Sequence, residues 1–242
     1  MILLNKKRII LFVLAILLSI IIYLLFFNNS EVNKVASLYV SNVDLDKKTV
    51  IIDPGHGLPD QGAGSSNGVT EANINLKISM KLKEKLENNN FNVILTRENE
   101  NGIYDSTAKT IREMKNLDLK NRVKIGNNSN ADIFVSIHLN QIDQTQYWGW
   151  QTFYKKSNEQ GKLLAECIQK SITEEISDRQ NKRDALSISN KYLIDNLKIP
   201  ATIVECGFLS NVEEAKLLQQ DEYQDRLVNG IYNGILKYFE QN

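Results

Sequence analysis

From residue 49 onward, short apolar runs alternate with apolar stripes of helical period. Thr49–Ile52, Phe91–Thr96, Ile133–Ile137, Gly149–Tyr154 and Ala201–Val204 are rich in β-branched and aromatic side chains and predict strands. Glu71–Leu86 places Ile74, Ile78, Leu82 and Leu86 four residues apart, the stripe of an amphipathic helix. Leu117–Ile125 reads as a second helix. Glu159–Ile176 reads as a third, apolar at Leu163, Leu164, Ile168 and Ile172. Near the end Asn211 is an N-cap, with Glu213 and Glu214 in the first turn, where the helix dipole favours negative charge. Leu227, Ile231 and Ile235 mark a final helix. This alternation predicts an α/β fold, a three-layer sandwich with a mostly parallel twisted sheet flanked by helices. Asn99–Asn116 is the least patterned stretch and reads as a partly helical insertion; no internal repeat or low-complexity block is present.

The beginning of the chain follows another rule. Ile9–Phe27 is nineteen residues without a charge, preceded by Lys6, Lys7 and Arg8. At about 1.5 Å per residue it nearly spans a bilayer core of roughly 30 Å. No face of it is polar, which argues against a buried core helix. The basic flank predicts a cytoplasmic N-terminus with all that follows Phe27 outside. Asn28-Asn29-Ser30-Glu31 lacks a small-residue cleavage site, so an uncleaved signal anchor is favoured over a cleaved signal peptide. The chain thus divides into a cytoplasmic tip and anchor (1–28), a polar stalk (29–47) and one domain (48–242).

Charge narrows the partners. Lys plus Arg and Asp plus Glu both number 29, and without the three basic residues before the anchor the balance is near −3. No basic stripe suggests nucleic acid. Two cysteines, Cys167 and Cys206, are too few for a disulfide scaffold and read as buried free thiols.

The candidate chemistry lies at strand ends. The chain has two histidines: His56 closes Thr49–Gly57 after a strand run, and His138 follows Ile133–Ile137. Glu205 follows Ala201–Val204. In an open α/β sheet, sites form in the crevice beyond the carboxyl ends of the strands. A catalytic zinc takes three protein ligands and leaves a position for water, so two histidines need a carboxylate. Asp53, Asp60 and Glu71 are the candidates near His56, and Glu71 lies on the apolar stripe of its helix, three residues before Ile74. A buried acid needs a partner, which a metal would supply. The plainer readings are histidines satisfied within their turns, and a Glu71 that stabilises a helix N-terminus by about 0.3–1 kcal/mol. Strand alternation puts Glu205 on the face of Ile203 and turns Cys206 away, which disfavours a cysteine nucleophile. A zinc with a carboxylate base beside it suits amide hydrolysis. No His-Glu-x-x-His helix occurs. Trp148 and Trp150 either stack on sugar faces at a groove rim or pack on the neighbouring strand.

In combination these residues resemble a known family. Ile52-Asp53-Pro54-Gly55-His56-Gly57, Glu71-Ala72-Asn73, Leu95-Thr96-Arg97, Arg122, Ala131–Asn140 and Pro200–Asn211 are similar to the zinc-dependent N-acetylmuramoyl-L-alanine amidases of the type 3 catalytic domain, over about Lys48–Phe239. The resemblance implies one zinc on His56, Glu71 and His138, with Glu205 as the catalytic acid. It implies cleavage of the amide between the lactyl group of N-acetylmuramic acid and L-alanine in peptidoglycan, outside the cytoplasm. The short form and the aromatic segment Tyr147–Tyr154 look most like the germination-specific spore-cortex amidases, whose work leads to muramic-δ-lactam. That subgroup implies a place in the forespore intermembrane space, membrane attachment through the N-terminal helix and, in some spore formers, a lipoprotein partner. Leu58 and Leu139 depart from the glycine and alanine common in the family, and Arg179–Ile199 matches it loosely. Two other classes are weighed against this one: a peptidoglycan-binding protein that keeps the fold without turnover, and a zinc peptidase acting on wall peptides.

Overall fold

The computed structural model describes residues 48–65 and 68–242. The expected anchor (1–28) and stalk (29–47) lie outside the described residues. Among the described residues no helix is long and apolar enough to cross a membrane.

The strands are β1 (Thr49–Pro54), β2 (Asn92–Leu95), β3 (Ile133–Asn140), β4 (Gln151–Lys155), β5 (Leu186–Ile188) and β6 (Ala201–Phe208). The helices are α1 (Glu71–Glu87), α2 (Ile111–Asn128), α3 (Glu159–Glu175), α4 (Tyr192–Asn196), α5 (Val212–Leu217) and α6 (Asp221–Glu240). They build one six-stranded sheet in the order β2-β1-β3-β6-β4-β5. β2, β1, β3 and β6 are parallel, as the alternation predicts. β4 runs antiparallel to β6, and β5 is parallel to β4 at the edge.

Side-chain alternation sorts the two faces. Ile51, Phe134, Ala201 and Ile203 pack with Leu193 and Ile194 of α4, with Leu197 just after it, and with Leu119 and Val123 of α2. The intervening residues, Val50, Ile52, Ile133, Val135 and Val204, are fully buried on the opposite side, where α1, α3 and α6 lie. The α3–α6 contact is close because α6 carries Gly230 and Gly234 there. A Cβ on Gly234 would come within 2.4 Å of the Ile168 Cα.

Four differences from the sequence reading matter for the site. First, β3 and β6 run past His138 and Glu205, which therefore sit inside the ladder rather than beyond it. Second, α2 begins at Ile111, so the unpatterned insertion shrinks. A capping box between Thr110 and Glu113 starts this helix, whose face is so polar that its stripe is short. Third, β5 and α4 are too short to carry a period, and both fall in the loosely matching segment. Fourth, β4 reverses direction, which the apolar run of Gly149–Tyr154 could not reveal.

A buried ionic network fixes the end of β1. Asp53 accepts hydrogen bonds from Thr96 Oγ1 at 2.6 Å, Ser136 Oγ at 2.6 Å and Arg122 Nη1 at 2.5 Å. Arg122 also donates from Nε to Asp118 at 2.7 Å. Burial works against the Asp53 charge, but Arg122 and the two hydroxyls outweigh it and hold the carboxyl below its usual range. Arg122→Met would leave a buried carboxylate unpaired and should cost about 3–5 kcal/mol. Urea unfolding of that variant checks this, with Lys216→Met at an exposed pair as a control that leaves the midpoint unchanged. Because the folded pKa of Asp53 is lowered, its contribution is complete above its unfolded value of about 3.9 and is lost as pH falls below it. Asp53→Asn should therefore flatten the acid limb of the stability profile, read by unfolding midpoints between pH 2 and 6, a range of about two units either side of that value.

Candidate metal centre

The centre starts with a turn that the backbone would not adopt unaided. After β1, His56 has φ +60°, a left-handed conformation costly for a residue with a side chain, and Gly57 follows at φ +148°. The carbonyls of this turn point into protein and are taken up by two buried arginines. Arg122 Nη1 reaches Pro54 O at 2.7 Å, and its Nη2 reaches His56 O at 2.6 Å. Arg97 Nε reaches Pro54 O at 2.9 Å, and its Nη2 reaches Gly55 O at 3.0 Å and Ala72 O at 2.8 Å. Asn75 Nδ2 adds a bond to Gly55 O at 3.2 Å. The arginines thereby tie the turn to β2, α1 and α2.

Glu71, the first residue of α1, does not cap its own helix. Its Oε2 accepts from Ala63 N at 2.8 Å, and its Oε1 accepts from Leu139 N at 3.0 Å. The same Oε1 lies 2.9 Å from His138 Nδ1 and 3.3 Å from His56 Nε2. One ligand atom from each of His56, Glu71 and His138 lies within 4.8 Å of the others. Of the three acids weighed near His56, Asp53 is consumed by Arg122. Asp60 contacts the far nitrogen of His56, Nδ1, at 3.1 Å and is itself held by Lys115 at 3.0 Å. Only Glu71 faces both imidazoles.

The electrostatics suit a cation. Burial opposes charge on Glu71, yet hydrogen bonds from His138 and His56 hold its carboxyl far below the usual range. Burial also opposes charge on His56, but Asp60 and Glu71 together push it up to about 9. Asp60 is drawn down to about 2 against its own burial, by His56 and Lys115. The cluster thus holds a fixed anion between two imidazoles.

Glu205 stands directly across from His138 in the parallel register of β3 and β6. A register shift follows between His138 and Asn140, where β6 carries one extra residue before Phe208 pairs with Asn140. Burial pushes the Glu205 carboxyl up, and its Oε2 is buried with no hydrogen-bond partner. All four side chains line one cleft of about 610 Å³, whose other wall is formed by Leu119, Phe153, Ile188, Leu193 and Ile203. Two carboxylates and two imidazoles thus share a cleft with an apolar wall, a set of groups that could hold a cation and move a proton.

This constellation, on this sheet, has relatives. Residues 50–237 match the N-acetylmuramoyl-L-alanine amidase family. The chain belongs to that family. It is 33% identical to the germination-specific N-acetylmuramoyl-L-alanine amidase of Bacillus subtilis over 230 residues, 95% of this chain and 94% of that protein. The CwlD amidase from Clostridioides difficile, solved in complex with the GerS lipoprotein, is 43% identical with a TM-score of 0.78, covering 81% of this chain and 100% of that one. An N-acetylmuramoyl-L-alanine amidase from Clostridium difficile 630 is 31% identical with a TM-score of 0.70, covering 81% of this chain and 99% of that one. The chain is accordingly a cell-wall amidase, an amidohydrolase of peptidoglycan.

Within the amidase the cysteines and tryptophans take structural places. Cys167 and Cys206 are both free and buried. Cys206 lies on the face opposite Glu205, and burial pushes its thiol up, so it supplies no nucleophile. Trp150 is fully buried, with Nε1 donating to Thr173 Oγ1 at 3.1 Å, and Trp148 lies under the Arg179 guanidinium at 4.8 Å. Neither lines the cleft. The residues that sequence reasoning left without a role are Arg97, Arg122 and Asn75, and Asp60, weighed as a ligand, instead contacts the other nitrogen of His56. A signal existed for Asn75, which follows Glu71 by one helical turn.

Gly55 is required by close approach: a Cβ there would fall 2.3 Å from His138 Cε1. Gly55→Ala should therefore fold, keep its circular dichroism spectrum and lose divalent-cation uptake by at least about tenfold. Calorimetric titration of the metal-free protein checks this.

Proposed function

We propose that the amidase is a zinc enzyme that cleaves the amide between the lactyl group of N-acetylmuramic acid and L-alanine in spore-cortex peptidoglycan. His56, Glu71 and His138 hold the ion, and Glu205 moves the protons. The observation that carries this is the donor set itself. Ligands about 2.0–2.1 Å from a tetrahedral ion lie about 3.3 Å apart, comparable to the separations of Glu71 Oε1 from the two imidazole nitrogens. Three ligands leave a position open, as catalytic rather than structural zinc requires. Asp60 fits as the group that orients His56 through its other nitrogen.

Bound zinc supplies Lewis acidity toward a water and toward the scissile carbonyl. The protein supplies the rest. Glu205, buried and lacking a partner on Oε2, takes a proton from the attacking water and returns it to the departing alanine nitrogen. Its raised pKa fits a group that must hold the proton between those two events. The apolar wall of Leu119, Phe153, Leu193 and Ile203 limits competing water.

The cortex assignment rests on similarity to the germination-specific enzyme and to CwlD. By the same reasoning the enzyme works outside the cytoplasm, in the forespore intermembrane space, attached through residues 9–27. A lipoprotein partner is part of this proposal, since the CwlD relative was solved with one. Two results test the reading. Glu205→Gln should keep about one zinc per chain while turnover falls by about 10²–10⁴-fold, and Glu71→Gln should lose the zinc as well. Mass spectrometry of digested cortex should show stems released with a free L-alanine amine; cleavage at an internal peptide bond would make the protein a peptidase instead.

A further inference from the structure

The cleft contains a cation that the proposed mechanism does not use. Lys191 lines it beside Glu205, between β5 and α4. The chain reverses there through Asn190, at φ +61°, and the residues on either side, Ile188, Tyr192 and Leu193, form the apolar wall. Lys191 is exposed, and its ammonium makes no hydrogen bond or ion pair among the described residues, unlike those of Lys115, Lys155 or Lys81, although its charge acts on Glu205. Apart from the two imidazoles it is the one cationic side chain among the residues that line the cleft. Around it, Leu119, Phe153, Ile188, Leu193 and Ile203 offer an anion nothing, and Glu71 and Glu205 repel one. Asn140, Gln141 and Tyr192 add polar groups to the cleft, but an anionic substrate group on the apolar wall meets one full positive side-chain charge there, that of Lys191.

Resting on the amidase reading above, we propose that Lys191 is a specificity residue that binds the free α-carboxylate of the stem residue after L-alanine. That carboxylate lies about two residues from the scissile bond, roughly 7 Å of extended chain, and Lys191 lines the same cleft as Glu205. The contact is an ammonium–carboxylate hydrogen bond with an otherwise solvated partner. It makes the enzyme sensitive to whether the second stem residue is an acid or its amide. Lys191 touches no reacting atom, so the step itself is unchanged.

The test uses the full zinc-loaded chain, with any lipoprotein partner present in every arm. Two muramoyl stem peptides are compared, identical except that the second residue carries an α-carboxylate or an α-carboxamide. Wild type should favour the carboxylate by about tenfold in kcat/KM, chiefly through KM. Lys191→Met should abolish the preference and Lys191→Arg should keep most of it, the ratio of kcat/KM between the two stems being the readout. If Lys191 only tuned Glu205, Lys191→Met would change both substrates equally and the preference would survive, which overturns the proposal. Equal turnover of the two stems by wild type overturns it as well. Failure of wild type to cut either stem would remove the amidase reading and Lys191's role with it, a result distinct from turnover without discrimination.

Discussion

Three successive carbonyls, those of Pro54, Gly55 and His56, turn inward at the end of β1, and two buried guanidiniums absorb them. The rest of the site depends on this. A left-handed histidine costs on the order of 1–3 kcal/mol of strain, which persists only when the surroundings over-determine it. Arginine fits the task because its planar fork serves several acceptors at once, which a lysine could not do. The two cations are also neighbours, and burial together with Arg122 draws Arg97 down to about 10. Asp53 and Asp118 balance them, so the network is neutral as a whole. It is costly to bury, and its return is specificity of one backbone turn rather than net stability.

That turn sets His56 against Glu71, and the sheet register sets His138 against Glu205. The second constraint is as strict as the first. In a parallel ladder a slip of one residue would send Glu205 to the α3 side and bring Cys206 into the cleft. The Ala201–Phe208 strand is protected from such a slip by burial on both faces, with Val204 and Ile203 each fitted to a different layer. The shift after His138 interrupts the ladder before it resumes at Asn140 and Phe208, and in that gap Leu139 N donates to Glu71.

Much of this was legible in the sequence, for identifiable reasons. Glu71 stood on an apolar stripe where an acid has no cause to be, and period-2 alternation separated Glu205 from Cys206. Those signals are local. The pairing of Asp53 with Arg122 joins residues far apart in the chain, and no periodicity encodes it. The segment from β5 to α4 was illegible because its elements are three and five residues long, less than two periods of a strand or a helix and so too short for a pattern to repeat. Trp150 left two readings open: a large aromatic beside a candidate groove was equally consistent with a rim or a core, and its full burial with Nε1 bonded to Thr173 on α3 decides for the core.

The two carboxylates of the cleft illustrate how one fold gives like groups unlike work. Both are removed from water, which alone would raise both pKa values. Glu71 receives two backbone N–H groups and two imidazoles, so its charge is fixed. Glu205 receives no donor on Oε2 and keeps the penalty of burial. Environments that push paired acids apart in this way divide the roles of holding charge and moving protons. Residue type cannot set this difference, since both are glutamates; the donors of the Ala63 loop, the end of β3 and the two imidazoles set it. The division is therefore a property of the turn and the register, and any change that loosens either would blur it before removing a single ligand.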